Sequence, residues 1–462
     1  MSDKKVFVIG LDCLAPKLAF DKYISDMPTL SELLKRSTWG PMTSTIPPIT
    51  CPAWACMTTS KEPGELGIYG FRNRVDHSYE RLAIATSYAV KEKAIWDIIG
   101  EKGKKSIVVA VPPSYPPKKI NGCMVGCFLS PDIDSDYTFP KELAKDIKNN
   151  VGQYLIDVRD FRTNDKKRLL KEIYDLTKNR FDTAVYLMQN KPWDFFMFVD
   201  MGPDRFHHGF WSYCDPEHNK YKKDNEFKDE MRKYYAFIDT QIKRILDKLD
   251  NNTVLCIVSD HGAKKIDGCF CINEWLIQKG YLKLKENPKE ITKLNPSMID
   301  WENTSAWGEG GYYGRIFFNV KGRETQGLIP KTKLKEFSGK LIKDLENIKY
   351  KNSEAKKTIV YEPKQLYKKT NGVAPDLLVF FGDLLWRSAG SVGIGDIYTF
   401  ENDTGPDDAN HDWQGVFVMY DPSERQAASG KKQEVSIYDF APTVLDKMGF
   451  KVPKGMKGKV LG

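Results

Sequence analysis

Short continuous apolar runs recur along the first part of the chain, and longer amphipathic stretches separate them. Such runs are typical of strands buried on both faces of a parallel sheet, and the intervening stretches are typical of helices that cover it. The predicted strands span residues 6–11, 106–111, 123–129, 193–199, 253–259 and 415–419, and the predicted helices span residues 94–100, 166–189, 227–249 and 435–448. This alternation predicts an α/β fold with a doubly wound, mainly parallel sheet and helices on both faces.

The pattern changes after residue 272. Predicted strands, separated by basic and irregular stretches, span residues 315–320, 358–361 and 376–381. We therefore predict an α/β core formed by residues 1–272 and 411–462. Residues 273–410 are predicted to be an inserted, cap-like subdomain with some core strands.

The composition narrows the class of protein. Hydrophobic residues make up 41% and charged residues 29% of the 462 positions, as in ordinary globular proteins. The net charge of +8 comes from dispersed lysines, which favours a small anionic substrate over nucleic acid. No apolar run approaches the ~20 residues of a membrane span, and the first run is too short for a secretory signal. Nine scattered cysteines without a CxxC pair predict reduced, mostly buried thiols and a cytoplasmic protein.

A proline-punctuated loop over residues 45–49 leads into a compact apolar segment that is predicted to begin a helix near Thr50. The first N–H groups of a helix lack internal partners and carry the positive end of its dipole, so an anion is stabilised there. A hydroxyl at this place could attack a phosphorus atom while the helix end holds the phosphoryl oxygens. The alternative is that Thr50 is only an N-cap.

Carboxylates and histidines follow the predicted strands or precede the last of them. These positions are Asp12, Asp204, His208, Asp260, His261 and His411. Carboxylate and imidazole groups from separated strand ends are the ligands that a pair of divalent ions needs. Two ions about 4 Å apart would stabilise both the entering and the leaving oxygen of a phosphoryl transfer. Taken one at a time, these residues could equally be caps or hydrogen-bonded surface pairs.

With these motifs the chain resembles the alkaline phosphatase superfamily, in the branch of type I phosphodiesterases and nucleotide pyrophosphatases. Within that branch it is most similar to the predicted phosphohydrolase/phosphomutase group. The matching segments are Gly10-Leu11-Asp12, Thr50-Cys51-Pro52-Ala53-Trp54, Asp204-xxx-His208, Ser259-Asp260-His261-Gly262 and His411, with further similarity at 273–276, 319–324, 374–377 and 439–443.

The resemblance implies an alkaline-phosphatase-like fold and two divalent metal ions, Zn²⁺ or Mn²⁺. One ion would be held by Asp204, His208 and His411. The other would be held by Asp12, Asp260 and His261. Thr50 would be the nucleophile and would bridge to the ions.

Two departures from the family pattern concern the substrate. The family's usual Asp-Asn pair after Gly-Ile is absent, because Gly67-Ile68 is followed by Tyr69-Gly70-Phe71-Arg72-Asn73. The family's usual histidine before Gly-Ile is Leu66. Arg72 or Asn73 is a candidate for the missing phosphoryl contact, and Lys321 and Arg323 are further candidate substrate contacts, with solvated surface charge as the alternative.

The sequence therefore predicts a metal-dependent enzyme that hydrolyses a phosphate monoester or diester through a phosphothreonine at Thr50. A phosphomutase or phosphotransferase acting on a small phosphorylated metabolite is an alternative, and so is a non-catalytic binding protein on the same fold. Among the other histidines, His207 is expected to pack beside a ligand, whereas His77 and His218 are expected to be exposed in polar loops.

Overall fold

A computed structural model describes residues 4–351, 357–424 and 430–461. The strands up to residue 271 are β1 (Lys5–Leu11), β2 (Thr38–Thr43), β3 (Arg72–Arg74), β4 (Leu82–Ile84), β5 (Ser106–Val109), β6 (Gly122–Val125), β7 (Thr138–Phe139), β8 (Phe195–Asp200), β9 (Thr253–Val258), β10 (Gly262–Lys265) and β11 (Gly268–Cys271). The later strands are β12 (Thr292–Lys293), β13 (Ala306–Glu309), β14 (Gly314–Phe318), β15 (Ile359–Tyr361), β16 (Leu377–Phe380), β17 (Trp386–Ala389), β18 (Ser391–Val392), β19 (Tyr398–Thr399), β20 (Ala409–Asp412), β21 (Gln414–Tyr420), β22 (Lys431–Lys432) and β23 (Val435–Ser436).

The α-helices connect and cover these strands. They are α1 (Pro28–Leu34), α2 (Thr50–Thr59), α3 (Pro63–Leu66), α4 (Ile95–Glu101), α5 (Glu142–Asn150), α6 (Lys166–Asn190), α7 (Gly202–Cys214), α8 (Glu230–Leu246), α9 (Ile272–Gln278), α10 (Leu334–Glu346), α11 (Pro363–Leu366) and α12 (Phe440–Lys447). In the described parts of the chain, every helix is too short or too polar to span a bilayer.

The centre of the main sheet is parallel, and an antiparallel pairing flanks it on each side. Its strand order is β22-β2-β21-β9-β1-β8-β5-β6-β7, and β23 also pairs with β2. The neighbours from β9 to β6 run parallel, whereas β21 is antiparallel to β9, and β7 is antiparallel to β6. The predicted mainly parallel sheet is confirmed.

Both faces of the sheet are covered because its central strands are apolar on both sides. Phe7, Ile9 and Leu11 pack in a cluster with α1, α6, α7 and α8. Val6 and Val8 point to the other face and pack with α2, α4 and α12. Full burial of such a side chain stabilises the fold by roughly 1.5–3 kcal/mol, so the continuous apolar pattern of β1 requires helices on both faces.

The predicted closing helix over residues 435–448 is correct only in its second half. Val435–Ser436 pairs with β2 as β23, and a short 3₁₀ turn spans Ile437–Asp439 before α12 begins. Asp439 accepts a hydrogen bond from the backbone N–H of Ser436 at 3.1 Å, so Ser436 caps this turn rather than α12 itself.

The region from residue 273 to 410 contains a second sheet in the order β13-β14-β16-β15, in which all neighbours are antiparallel. The strands predicted at 315–320, 358–361 and 376–381 are β14, β15 and β16. Phe317, Leu377 and Val379 of this sheet pack in a separate cluster with Leu341 of α10. The division of the chain at residues 272 and 410 stays a prediction; its parts include residues 1–3, 352–356, 425–429 and 462, which lie outside the described residues.

Candidate metal centre

The predicted acidic and histidine positions lie at the carboxyl ends of the parallel strands. Asp12 directly follows β1, and Asp260 and His261 follow β9. After β8 the chain enters α7, which carries Asp204 and His208 one helical turn apart. This is the sheet edge where open α/β folds bind their ligands.

His411 reaches the same edge through a two-stranded ribbon. Strand β20 runs antiparallel to β10 and places His411 opposite Ala263, two residues after His261. The imidazole rings of His261 and His411 consequently stack, with centroids 3.8 Å apart and planes 18° apart. Both side chains are buried.

The ligand atoms of both predicted sets converge. Asp204 Oδ1 lies 3.2 Å from His208 Nε2 and 3.6 Å from His411 Nε2. In the neighbouring set, His261 Nε2 lies 3.2 Å from Asp260 Oδ2 and 3.8 Å from Asp12 Oδ1. The two sets are adjacent, because three ligand atoms, one each from Asp12, Asp204 and His261, lie within 4.8 Å of one another.

Each of the three histidines has an acceptor on its Nδ1 and directs Nε2 toward the cluster. The Nδ1 partner of His208 is Asp407 Oδ1 at 2.7 Å, that of His261 is its neighbour's carbonyl oxygen at 3.1 Å, and that of His411 is the Pro48 carbonyl at 2.9 Å. A proton on Nδ1 leaves the Nε2 lone pair for a cation, which is the usual arrangement of metal-binding histidines.

The three carboxylates are each held through one oxygen. Asp12 Oδ2 accepts a hydrogen bond from the Trp54 indole N–H at 2.6 Å. The guanidinium of Arg205 donates to Asp204 Oδ2 at 2.7 Å, and the backbone N–H of Cys13 donates to Asp260 Oδ1 at 3.3 Å. The second oxygen of each group is thereby directed toward the cluster.

Several of the carboxylate oxygens and imidazole nitrogens that point toward the cluster lack hydrogen bonds. Among the described residues, no partner of acceptable geometry exists for Asp12 Oδ1, Asp204 Oδ1, Asp260 Oδ2, His208 Nε2 or His411 Nε2. Leaving a buried polar atom unsatisfied costs about 1–3 kcal/mol. Because unsatisfied carboxylate and imidazole atoms are the donors that divalent cations prefer, the residues fit a metal pair.

Burial and mutual repulsion set the protonation of the carboxylates. Burial raises the pKa of Asp12 well above its usual value, and the charge of Asp204 raises it further. Burial likewise raises the pKa of Asp260, with Asp12 as the next cause. Burial also opposes the ionisation of Asp204, but the neighbouring His208 outweighs it and holds the Asp204 pKa well below its usual value. A bound cation would favour the ionised form of all three.

Thr50 is the first residue of α2, and its side chain is 2% exposed. The N-cap position belongs to Ile49, and Thr50 Oγ1 lies 3.4 Å from His261 Nε2. The alternative interpretation of Thr50 as an N-cap is therefore wrong. Its hydroxyl instead faces the histidine and carboxylate cluster.

Sequence reasoning did not find Asp407, which supports His208. Besides His208, the Asp407 carboxylate pairs with Arg162 at 2.9 Å and with Arg387. Burial opposes its ionisation, but His208 and Arg387 outweigh burial and hold the Asp407 pKa far below its usual value. The only signal in the sequence was the Asp407-Asp408 doublet shortly before His411.

Tyr312 also escaped sequence reasoning. Its ring stacks on His411 with centroids 3.9 Å apart, and its hydroxyl accepts a hydrogen bond from Arg162 at 3.1 Å. The guanidinium of Arg387 lies over the same ring, 4.4 Å from its centroid. Tyr312 therefore links a candidate ligand to two cationic side chains.

The four candidate substrate contacts have different surroundings. Asn73 closes a turn, because its Oδ1 accepts from the Tyr69 N–H at 2.8 Å and its Nδ2 donates to the Gly70 carbonyl at 2.9 Å. Arg323 forms ion pairs with Asp376 and Glu324. Arg72 and Lys321 are exposed. A contact between any of the four and a substrate stays a prediction.

The three remaining histidines differ from one another. His207 is buried, as predicted, and its Nε2 lies 3.0 Å from the Tyr235 hydroxyl. The His77 side chain is 44% exposed, also as predicted. The prediction that His218 is exposed is wrong: it is 4% exposed, because its ring is held between the Asp408 carbonyl and the Lys220 N–H.

Comparisons with known proteins bear on the family and on the fold of the chain. The sequence profile of the family described as type I phosphodiesterase / nucleotide pyrophosphatase matches residues 6–407. Among solved structures, human ectonucleotide pyrophosphatase / phosphodiesterase 5 is similar, with a TM-score of 0.56 and 11% identity over 99% of this chain and 97% of that chain. At this identity the likeness establishes the fold alone. No curated protein sequence matches the chain.

Proposed function

The chain belongs to the type I phosphodiesterase/nucleotide pyrophosphatase family and is a phosphoric ester hydrolase; we propose that it works through a phosphothreonine at Thr50 with two divalent ions. The observation that carries this proposal is the buried cluster of unpartnered carboxylate oxygens and imidazole nitrogens, together with the Thr50 hydroxyl that reaches one of its histidines, His261, at 3.4 Å. The proposed substrate is a small phosphate monoester or diester.

Two groups of side chains would hold the ions. Asp204, His208 and His411 would form one site, and Asp12, Asp260 and His261 would form the other, with Thr50 next to both. Zn²⁺ or Mn²⁺, when bound, would lower the pKa of the Thr50 hydroxyl and neutralise charge on the phosphoryl oxygens. Asp407, Trp54 and Arg205 would keep the ligands in orientation through the hydrogen bonds described above.

In the first step, Thr50 Oγ1 forms a bond to phosphorus while the bond between phosphorus and the leaving oxygen breaks. The O–H bond of Thr50 breaks, its proton passes through solvent to the leaving oxygen, and the phosphoryl group stays on Thr50. The N-terminus of α2 stabilises the added negative charge, because the first intrahelical hydrogen bond starts only at the Ala53 N–H. In the second step, water attacks phosphorus, the bond to Oγ1 breaks, and the Thr50 hydroxyl is regenerated.

The test is a metal-reconstitution experiment. Chelator-treated protein is reloaded with Zn²⁺, Mn²⁺ or Mg²⁺ and assayed on a monoester, a diester and a nucleotide pyrophosphate. We expect activity to disappear with the metal and to return with Zn²⁺ or Mn²⁺. Activity that is indifferent to chelator and to added ions would refute the two-metal proposal.

A matched pair of histidine variants sharpens the experiment. His411→Ala should abolish reactivation by metal, whereas His77→Ala, at an exposed position, should behave like the wild type. An alcohol added to the assay reports the alternative chemistry, because a phosphotransferase or mutase would give mainly a new phosphate ester, whereas a hydrolase would still give mainly inorganic phosphate.

For the compartment we propose the cytoplasm. The nine cysteines all belong to the described residues, and each is buried and free of a disulfide. This arrangement supports a reducing environment. Fractionation of the source cells with an antibody against the protein tests the proposal.

A further inference from the structure

A cysteine that the proposed mechanism does not use lies among the candidate ligands. Cys13 directly follows Asp12 and is 0% exposed. Its Sγ and one ring nitrogen each of His261 and His411 all lie within 4.8 Å of one another. We infer that Cys13 provides a thiolate ligand to the metal centre, so that a soft sulfur donor joins the carboxylates and imidazoles. This inference rests on the proposed function, because it assumes that the cluster binds metal.

The backbone holds the Cys13 side chain at this place. The φ angle of Cys13 is 64°, in the left-handed region that residues other than glycine rarely adopt. The Cys13 N–H donates to Asp260 Oδ1 at 3.3 Å, and the next N–H, of Leu14, donates to Ser259 Oγ at 2.8 Å. These two bonds tie the turn after β1 to the end of β9, so the backbone of Cys13 is held beside the cluster.

Unpartnered atoms of the same metal-ligand cluster point to a ligand. His411 Nε2 and Asp204 Oδ1 belong to side chains that are 1% and 2% exposed, and neither atom has a hydrogen-bond partner among the described residues. The Cys13 thiol itself donates a hydrogen bond to the Gly262 carbonyl at 3.3 Å. A cation shared by the sulfur and the two imidazoles of its set would satisfy these buried atoms together.

Cys13 differs from the other cysteines in its position among potential metal ligands. All nine lie in the described ranges, and Cys13 is the one that joins a set of three potential metal ligands there. Cys51 provides the comparison: it is equally buried and next to Thr50, but it packs among Ala55, Leu66 and Ile68. Burial close to the site therefore does not by itself place a sulfur among the ligands.

A sulfur ligand would change which ions the centre prefers. When the thiol binds, the bond between sulfur and metal forms, the S–H bond breaks, and the proton passes to the buffer. Thiolate is a soft ligand that favours Zn²⁺, Co²⁺ or Cd²⁺ over Mn²⁺ and Mg²⁺. The Zn²⁺ form should thus be favoured over the Mn²⁺ form, a choice that carboxylate and imidazole ligands leave open.

Cobalt spectroscopy tests this inference without an activity assay. Chelator-treated wild-type protein is titrated with Co²⁺, and bound cobalt is quantified after equilibrium dialysis. We expect a thiolate-to-cobalt charge-transfer band in the near ultraviolet. The band should be lost in Cys13→Ser and retained in Cys51→Ser. Cys13→Gly is a second thiol-free variant, and its backbone suits this position because glycine adopts a positive φ without strain.

The outcomes separate the two proposals. Cobalt that binds without a charge-transfer band in the wild type, or a band that persists in both Cys13 variants, would overturn the cysteine ligand while leaving the metal centre intact. Failure of the wild type to bind cobalt at all would overturn the metal centre as well. In competition experiments, Cys13→Ser should lose roughly tenfold or more in Cd²⁺ affinity relative to Mn²⁺, and an unchanged ratio would count against the sulfur ligand.

Discussion

Replacing Thr50 by alanine separates the role of its hydroxyl in catalysis from its role in the fold. Thr50 is 2% exposed, it is not the N-cap of α2, and its hydroxyl lies 3.4 Å from His261 Nε2. The change therefore removes a buried methyl group and a hydroxyl without a short hydrogen bond. The residue remains in the first turn of α2, where alanine is well tolerated.

The structure predicts a small effect on stability and a large effect on turnover. Loss of a buried methyl group costs about 0.8 kcal/mol, and the higher helix propensity of alanine returns up to about 0.7 kcal/mol. We therefore expect the free energy of unfolding to change by at most about 1 kcal/mol. Loss of the nucleophile should lower turnover roughly a thousandfold or more, which corresponds to about 4 kcal/mol of transition-state stabilisation.

The assay compares three variants on the best substrate of the panel. Thr50→Ala should lose turnover, Thr50→Ser should keep part of it, and Thr59→Ala should be nearly unaffected. Thr59 is the matched control because it lies in the same helix, is also 2% exposed, and donates its hydroxyl to the Ala55 carbonyl. Mass spectrometry after an acid quench should find phosphate on the Thr50 peptide of the wild type. Near-normal turnover of Thr50→Ala would refute the covalent step and leave direct attack by water.

Three further predictions concern metal binding and pH. Chelation should lower the melting temperature, because an ion at a hundred times its Kd stabilises by about 2.7 kcal/mol; calorimetry with and without Zn²⁺ measures this. Asp407→Asn removes the carboxylate from His208 Nδ1 and should weaken metal binding roughly 10–100-fold in a chelator competition. Burial raises the pKa of Asp200 to about 6, so the folded state binds this proton more tightly than the unfolded chain, and this group's contribution to stability falls as the pH rises from about 4 to about 6. Denaturant unfolding at about pH 4 and at about pH 6 measures this decrease in the free energy of unfolding. In Asp200→Asn the decrease should be smaller by up to ~3 kcal/mol.

Each of these predictions has its own control or contrary outcome. Equal melting temperatures with and without metal would argue against a preformed centre. Asp408→Asn is the control for Asp407, because the Asp408 carboxylate accepts from Ser212 and has no contact with a ring nitrogen of His208; equal metal affinities of the two variants would remove the role given to Asp407. For Asp200, an unchanged pH profile in the asparagine variant would mean that another group titrates in this range.

The local pattern of hydrophobic residues was sufficient to predict the strands and helices of the core. A strand buried on both faces must be apolar throughout, so β1 and β9 were recognisable as such, and Asp12 and His261 were expected at the ligand-binding edge because they follow these strands directly. The amphipathic period marked α6 almost to the residue, from Lys166 to Asn190. The similarity of the motifs to a known family then linked Thr50 to the metal ligands, which composition and periodicity alone did not.

Contacts between distant parts of the chain were decided by the tertiary structure. Asp407 supports His208 across 199 residues, and His411 stacks on His261 only because β20 returns to pair with β10. His218 looked like an exposed loop residue, yet the packing of the chain around Asp408 buries it. Periodicity and propensity report the near neighbours of a residue, whereas its hydrogen-bond partners and burial depend on which remote segment the fold brings beside it.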